Sequence, residues 1–145
     1  MANNSKKPAL KSGRRHDKLV KEVASEEPKA LREESSLKEA GEKMRSLHAD
    51  RLPVVSGDRL VGAVEGKYPE RKAAGFGHDP ATTLVRGIML KEAHYCFENQ
   101  SLDEAREIMR KHHLQYLPVV DHTMRVVGSV TMKDLAATKR QRRKE

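Results

Sequence analysis

Cysteine is nearly absent: Cys96 stands alone among 145 residues. No disulfide can close within the chain, a usage that fits a reducing compartment. Tryptophan is missing, and two Phe and three Tyr are the whole aromatic complement, so any core must be aliphatic. No apolar run approaches the roughly 18 residues that a membrane span needs. The opening stretch "MANNSKKPALKSGRRHDK" has no apolar segment of the kind found in a secretory signal. These absences point to a soluble cytoplasmic protein with no membrane contact. No Gly-rich phosphate loop, nucleophile elbow or paired-carboxylate pattern occurs. The seven histidines are scattered, and His112-His113 has no second pair at ligand spacing. "HYC" (94–96) therefore reads as a strand, since a structural zinc site needs four ligands. Neither catalysis, a metal nor a required cofactor is expected.

Charge of one sign is abundant overall, with a net charge of +8, but it is absent from the body of the chain. Residues 1–18 and 139–145 together hold eleven Lys and Arg against two acids, which leaves eighteen basic and nineteen acidic residues for 19–138. The two ends are expected to be disordered basic tails able to touch nucleic acid or another polyanion non-specifically. No aromatic residues interleave with these charges to stack on bases.

What the chain does have is internal repetition. A shift of 65 places "LVKEVASEEPKALREESSLKEAGEKMRSLHADRLPVV" (19–55) on "LVRGIMLKEAHYCFENQSLDEAREIMRKHHLQYLPVV" (84–120). Ser36-Leu37 falls on Ser101-Leu102, Ala40 on Ala105, Met44 on Met109, and Leu52-Pro53-Val54-Val55 on Leu117-Pro118-Val119-Val120. After one extra residue, "RLVGAV" (59–64) meets "RVVGSV" (125–130). The chain is a tandem duplication.

Each copy reads the same way. A short extended segment around Lys29–Leu31 or His94–Phe97 precedes a capping box, Ser36-x-x-Glu39 or Ser101-x-x-Glu104, that opens a helix. Leu37, Ala40, Met44 and Leu47, and in the second copy Leu102, Ala105, Ile108 and Met109, recur at helical spacing. Two β-branched runs follow, joined by Ser56-Gly57-Asp58 or Asp121-His122-Thr123. A final helix closes each copy, in the first with Pro69 at its start and Gly75 at its C-cap. In the second copy, "GSVTMKD" (128–134) carries Thr131 and Asp134 three apart, which is itself a capping signal at a helix start.

The order of these features, with "LPVV", then "VVG", then G-x-x-T-x-x-D in a tandem repeat, resembles a CBS-domain pair, or Bateman module, across residues 19–138. The linker "GHDPATTLVRGIM" (77–89) is similar to the family's as well. The resemblance implies an α+β fold of two βαββα-type repeats, at 19–76 and 84–138 around a linker at 77–83, forming one pseudo-twofold module. It further implies an adenosine-containing regulatory ligand, AMP or ATP foremost and otherwise ADP or S-adenosylmethionine, bound in a cleft between the repeats. Gly128, Thr131 and Asp134 match the family's motif: Asp134 would accept the ribose hydroxyls, and Thr131 would face the phosphate. A helix N-terminus suits an anion, and Lys133 in the same turn would add charge. The base would be held from the other repeat by Lys29 and Ala30, and by Ala49, Asp50 and Arg51, with Arg51 either meeting a phosphate or lying on the surface.

The first copy departs from this pattern. "GAVEGKY" (62–68) places Glu65 where Thr131 stands and Tyr68 where Asp134 stands. A carboxylate there would repel a phosphate, and a phenol cannot accept two hydroxyls. The site built on this motif, with its base pocket near His94, Tyr95, Leu114 and Gln115, is expected to be empty or altered, leaving one nucleotide per chain. The family pattern also implies a homodimer, with Leu47, Met89 and Met109 as candidates for its faces or equally for the core, and an effector protein separate from this chain. The alternative function is a nucleic-acid-binding or scaffolding protein that works through its basic tails.

Overall fold

A computed structural model describes residues 18–26, 29–66 and 68–136. The expected basic tails, apart from Lys18, lie outside the described residues. The elements in chain order are α1 (Val20–Val23), β1 (Leu31–Arg32), α2 (Leu37–Ser46), β2 (Arg51–Ser56), β3 (Arg59–Glu65) and α3 (Pro69–Gly75). After a 3₁₀ turn at Val85–Gly87 come β4 (Cys96–Phe97), α4 (Leu102–Lys111), β5 (Tyr116–Val120) and β6 (Val126–Thr131). A last helix, α5, begins at residues 132–136. The result is the expected mixed α+β architecture, with two three-stranded sheets ordered β1-β2-β3 and β4-β5-β6.

Local chemistry accounts for these boundaries. Ser36 Oγ accepts the Glu39 N–H at 3.1 Å, while Glu39 Oε1 accepts the Ser36 N–H at 3.1 Å. Ser101 and Glu104 repeat both bonds, again at 3.1 Å. Both helices end in the same manner, with His48 (φ 54°) and His113 (φ 56°) in the left-handed region. That conformation stops a helix, and histidine tolerates it better than most side chains. His113 thus has a backbone role. The end of α3 differs slightly from expectation. Gly75 is its last helical residue, Phe76 is the C-cap, and Gly77 carries the left-handed φ of 83°.

Parallel pairing of β1 with β2 sets Leu31 beside Val54. β4 repeats it in the second sheet, with Cys96 beside Val119. β2 and β3 are antiparallel, with Leu52 opposite Val64. The apolar stripes of the helices cover these sheets. Leu37, Ala40 and Met44 are fully buried with Leu31, Leu52 and Val54 in one core. Leu102, Ala105 and Met109 pack with Cys96, Leu117, Val119 and Leu135 in the other. Each such Leu or Met contributes about 1.5–3 kcal/mol through burial. Met109, a candidate for a dimer face, is 0% exposed inside its own core and offers no surface to a second copy.

The compact units do not follow the repeats end to end. Among the described residues, one comprises 29–94 with 122–126, and the other comprises 18–26, 95–121 and 127–136. The segment leading into each repeat is therefore built into the unit of the other. Leu102 N–H donates to the Lys18 carbonyl at 3.0 Å and Val20 N–H to the Gln100 carbonyl at 2.8 Å. In the other unit, Leu37 N–H donates to the Thr83 carbonyl at 2.9 Å and Val85 N–H to the Ser35 carbonyl at 2.8 Å. These are the same positions shifted by one repeat. Val20 and Val85, both 0% exposed, anchor the two segments.

Candidate functional site

The leading segments fix the strand-to-helix turns that carry the motif. Ser25 and Ser129 exchange backbone hydrogen bonds of 2.8 and 3.0 Å, and Leu90 and Ala63 exchange a matching pair of 2.8 and 2.9 Å. Each crossing passes directly over a glycine. A Cβ added at Gly128 would lie 2.2 Å from the Ser25 carbonyl oxygen, and one at Gly62 would lie 2.3 Å from that of Leu90. The glycine of the motif is thus required for backbone approach, a role that the sequence reading of Gly128 as a ligand contact did not include.

Beyond Gly128, β6 keeps Ser129 and Val130 buried and ends at Thr131. Thr131 N–H donates to Asp134 Oδ2 at 2.9 Å, and Asp134 N–H donates to Thr131 Oγ1 at 3.2 Å. This reciprocal pair is a capping box, and it orients the carboxylate at the start of α5. Leu135, in the core, pins the turn from below, while Lys133 points to solvent. Met132 N–H donates to the Gln115 carbonyl at 3.1 Å, tying the same turn to the start of β5.

The remaining nominated residues lie in the other unit. Lys29 and Ala30 are half-buried just before β1, and Lys43 Nζ donates to the Ala30 carbonyl at 2.8 Å. Ala49 is half-buried, with its N–H on the Met44 carbonyl at 2.9 Å. Asp50 offers its backbone carbonyl to the Gly66 N–H at 2.7 Å. Arg51 pairs with the Glu65 carboxylate at 2.5 Å. The nominated residues thus form two sets, one in each unit, and Arg51 has an acidic partner within its own.

The turn after β3 is built differently. Gly66 takes a φ of 96°, and Tyr68 precedes α3 without a side-chain cap. The Tyr68 ring lies 3.9 Å from the Arg71 guanidinium and 5.0 Å from that of Arg45, in cation–π geometry. Arg45 also pairs with Glu70 at 2.7 Å. Burial pushes the Glu70 carboxyl upward, but the hydrogen bond and charge of Arg45 outweigh it and hold the group below its ordinary value. Sequence reasoning missed this cluster. Its signal was Gly41, a glycine inside a helix, where an added Cβ would meet the Glu70 carboxylate at 2.1 Å.

Of the residues considered for a base pocket on the first motif, Leu114 belongs to the core. Tyr95 meets Phe97 edge-on at 5.5 Å. Cys96 is fully buried, and burial pushes its thiol up to about 12, so it is held as a neutral thiol. Among the described residues, no three His, Cys, Asp or Glu side chains converge to hold a metal ion, and no helix is long and apolar enough to cross a membrane.

Comparison with known proteins meets this geometry. The family model for the CBS domain matches twice, at residues 20–65 and 85–139. Inosine-5'-monophosphate dehydrogenase of Thermoplasma acidophilum is 32% identical over 123 residues, a stretch that covers 81% of this chain and 24% of the dehydrogenase. The chain thus spans about a quarter of that relative's length. The CBS domain-containing protein YhcV of Bacillus subtilis is 28% identical over 120 residues, covering 83% of this chain and 81% of that protein. Among solved structures, a CBS domain pair in complex with methylthioadenosine and S-adenosyl-L-methionine superimposes with a TM-score of 0.62 at 28% identity, covering 83% of this chain and 98% of that one.

Proposed function

We propose that this chain, which belongs to the CBS domain family, is a regulatory module that binds an adenosine-containing ligand and reports its occupancy to a separate partner. The observation that carries this reading is the second-repeat turn, where Gly128, Thr131 and Asp134 are retained and Asp134 is held by the Thr131 N–H at 2.9 Å. A carboxylate has about four lone-pair sites, so capping α5 and accepting ribose hydroxyls are compatible roles. The bound methylthioadenosine and S-adenosyl-L-methionine of the related pair support this class of ligand. Thr131 and Lys133 would then serve a phosphate or another anionic group, and Lys29, Ala30, Ala49 and Asp50 the base. Arg51, paired with Glu65, would either turn to a phosphate or remain a surface charge. The match to the dehydrogenase ends at a quarter of its length, and the module acts by binding rather than by catalysis, as a cytoplasmic homodimer.

Calorimetry with AMP, ATP and S-adenosylmethionine tests this reading. The parent protein should bind at least one of them. Asp134→Ala should weaken that binding by about 1.5–3 kcal/mol, the contribution of a hydrogen bond to a charged group. Equal affinity in parent and variant, or no binding in the parent, rejects it. The contrast between basic ends and a neutral body supports a second reading, polyanion contact through residues 1–18 and 139–145. Such contact would weaken steeply with salt.

A further inference from the structure

The unit holding the first repeat contains a cavity of about 220 Å³ outside both sets of nominated ligand residues. Its apolar walls are Ala63, Pro69, Ala73, Phe76, Ile88 and Leu90. Two of these are large side chains left open to water, Phe76 at 77% and Leu90 at 49% exposure. Three ionisable side chains join them: Glu65, Lys72 and His78. The Glu65 carboxylate is already engaged by Arg51 at 2.5 Å. Lys72 and His78 have no side-chain hydrogen bond or ion pair among the described residues. The cavity therefore combines an apolar wall with the Lys72 ammonium and the His78 imidazole, while its one acid is paired with Arg51.

We infer that this cavity is a second ligand site and that it takes a small apolar monocarboxylate. The volume suits a ligand smaller than a nucleotide, because pockets for drug-sized ligands occupy roughly 300–1,000 Å³ and this one holds about 220 Å³. Charge selects an anion: the only group that would attract a cation is held by Arg51, and Lys72 is a point charge suited to a carboxylate. The apolar body of the ligand would cover Phe76 and Leu90. The site lies beside the turn at Glu65 and Tyr68, where the nucleotide motif is lost, so the first repeat has exchanged one ligand chemistry for another.

Amide shifts of the full-length protein, followed by two-dimensional NMR, test this with benzoate and neutral benzyl alcohol as probes. Benzoate should move the amides of Ala63, Ala73, Phe76 and Leu90 and bind about tenfold or more tighter than the alcohol, a margin of about 1.4 kcal/mol. The double variant Lys72→Gln, His78→Gln, altered only at exposed positions, should lose that margin. Lys72→Arg, which keeps the charge, should retain most of it. Equal affinity for the two probes, undiminished benzoate binding in the double variant, or saturating shifts confined to other residues would overturn the assignment. So would the absence of any shift at millimolar benzoate. A parallel titration with S-adenosylmethionine reads the turn at Thr131 and Asp134, so failure of the adenosine reading and failure of this one are separately visible.

Discussion

At the end of β6, Thr131 and Asp134 exchange two hydrogen bonds of 2.9 and 3.2 Å across the first turn of a helix. At the corresponding point after β3, Tyr68 caps nothing and instead lies against the guanidinium groups of Arg71 and Arg45. The two turns descend from one duplicated unit and still share a feature. Each has a glycine, Gly62 or Gly128, beneath the carbonyl of a crossing segment. The comparison separates two demands within a single motif. The glycine is required by packing and is present in both copies, whereas the Thr and Asp serve a polar turn and survive in one.

The sharpest way to break the comparison is to substitute the shared element. Gly128→Ala and Gly62→Ala each force a methyl group to within about 2.3 Å of a backbone oxygen, and backbone cannot swing aside as a side-chain tip can. Overpacking typically costs about 1–3 kcal/mol, and both variants should lie at the upper end, about 3 kcal/mol. Urea denaturation measures this. Similar losses in the two variants support a packing role common to both copies. A neutral Gly62→Ala beside a damaging Gly128→Ala would tie the glycine to the ligand turn alone.

The unshared element should give a smaller and asymmetric effect. Replacing a capping Ser, Thr, Asp or Asn by Ala costs about 0.5–2 kcal/mol. Thr131→Ala should therefore destabilise by about 1 kcal/mol, because it removes the acceptor of the Asp134 N–H. Glu65→Ala, at the corresponding position, should cost less, since its partner Arg51 is an exposed surface pair. Thermal denaturation of the two variants, ranked against the parent, checks the order. A Glu65→Ala loss equal to that of Thr131→Ala would mean that the first turn is held as tightly as the second by other means.

Much of this was legible in the sequence because it is local. The shift of 65 aligned the helices, and Ser36/Glu39 and Ser101/Glu104 announced where they begin. The strand-to-helix turn at 128–134 could be placed from residue types alone. The exchange of leading segments could not, because Leu19-Val20 and Leu84-Val85 are equally apolar and either would fit either sheet. Nothing in residue type told Met109, in the core, from a surface methionine, since a helical stripe identifies a face but not what lies against it. The pairing of Arg51 with Glu65 joins neighbouring strands whose register depends on a shift between Val54 and Val55. The pair of Arg45 with Glu70 joins two helices and depends on how they pack.

That last pair offers the finest test, because the second copy has no counterpart. Arg110, which corresponds to Arg45, pairs with Glu107 on its own helix, whereas Arg45 reaches across to Glu70 on α3. Burial alone would raise the Glu70 carboxyl, but Arg45 brings it below the ordinary 4.5. A group depressed by folding stabilises the native state fully above its unfolded value. As pH falls below about 4.5 the unfolded chain takes up the proton first, and the contribution disappears once the pH passes the folded value. Stability of the parent should thus decline on the acid side of 4.5, and Glu70→Gln should flatten that limb while lowering stability at neutral pH. Glu107→Gln should leave the limb unchanged, since an exposed pair within one helix is worth little. The measurement is urea denaturation at intervals between pH 3 and 7. An acid limb of the same slope in parent and Glu70→Gln would show that the Arg45 contact does not hold the carboxylate ionised, and the asymmetry between the two copies would then reside in the Thr131–Asp134 turn alone.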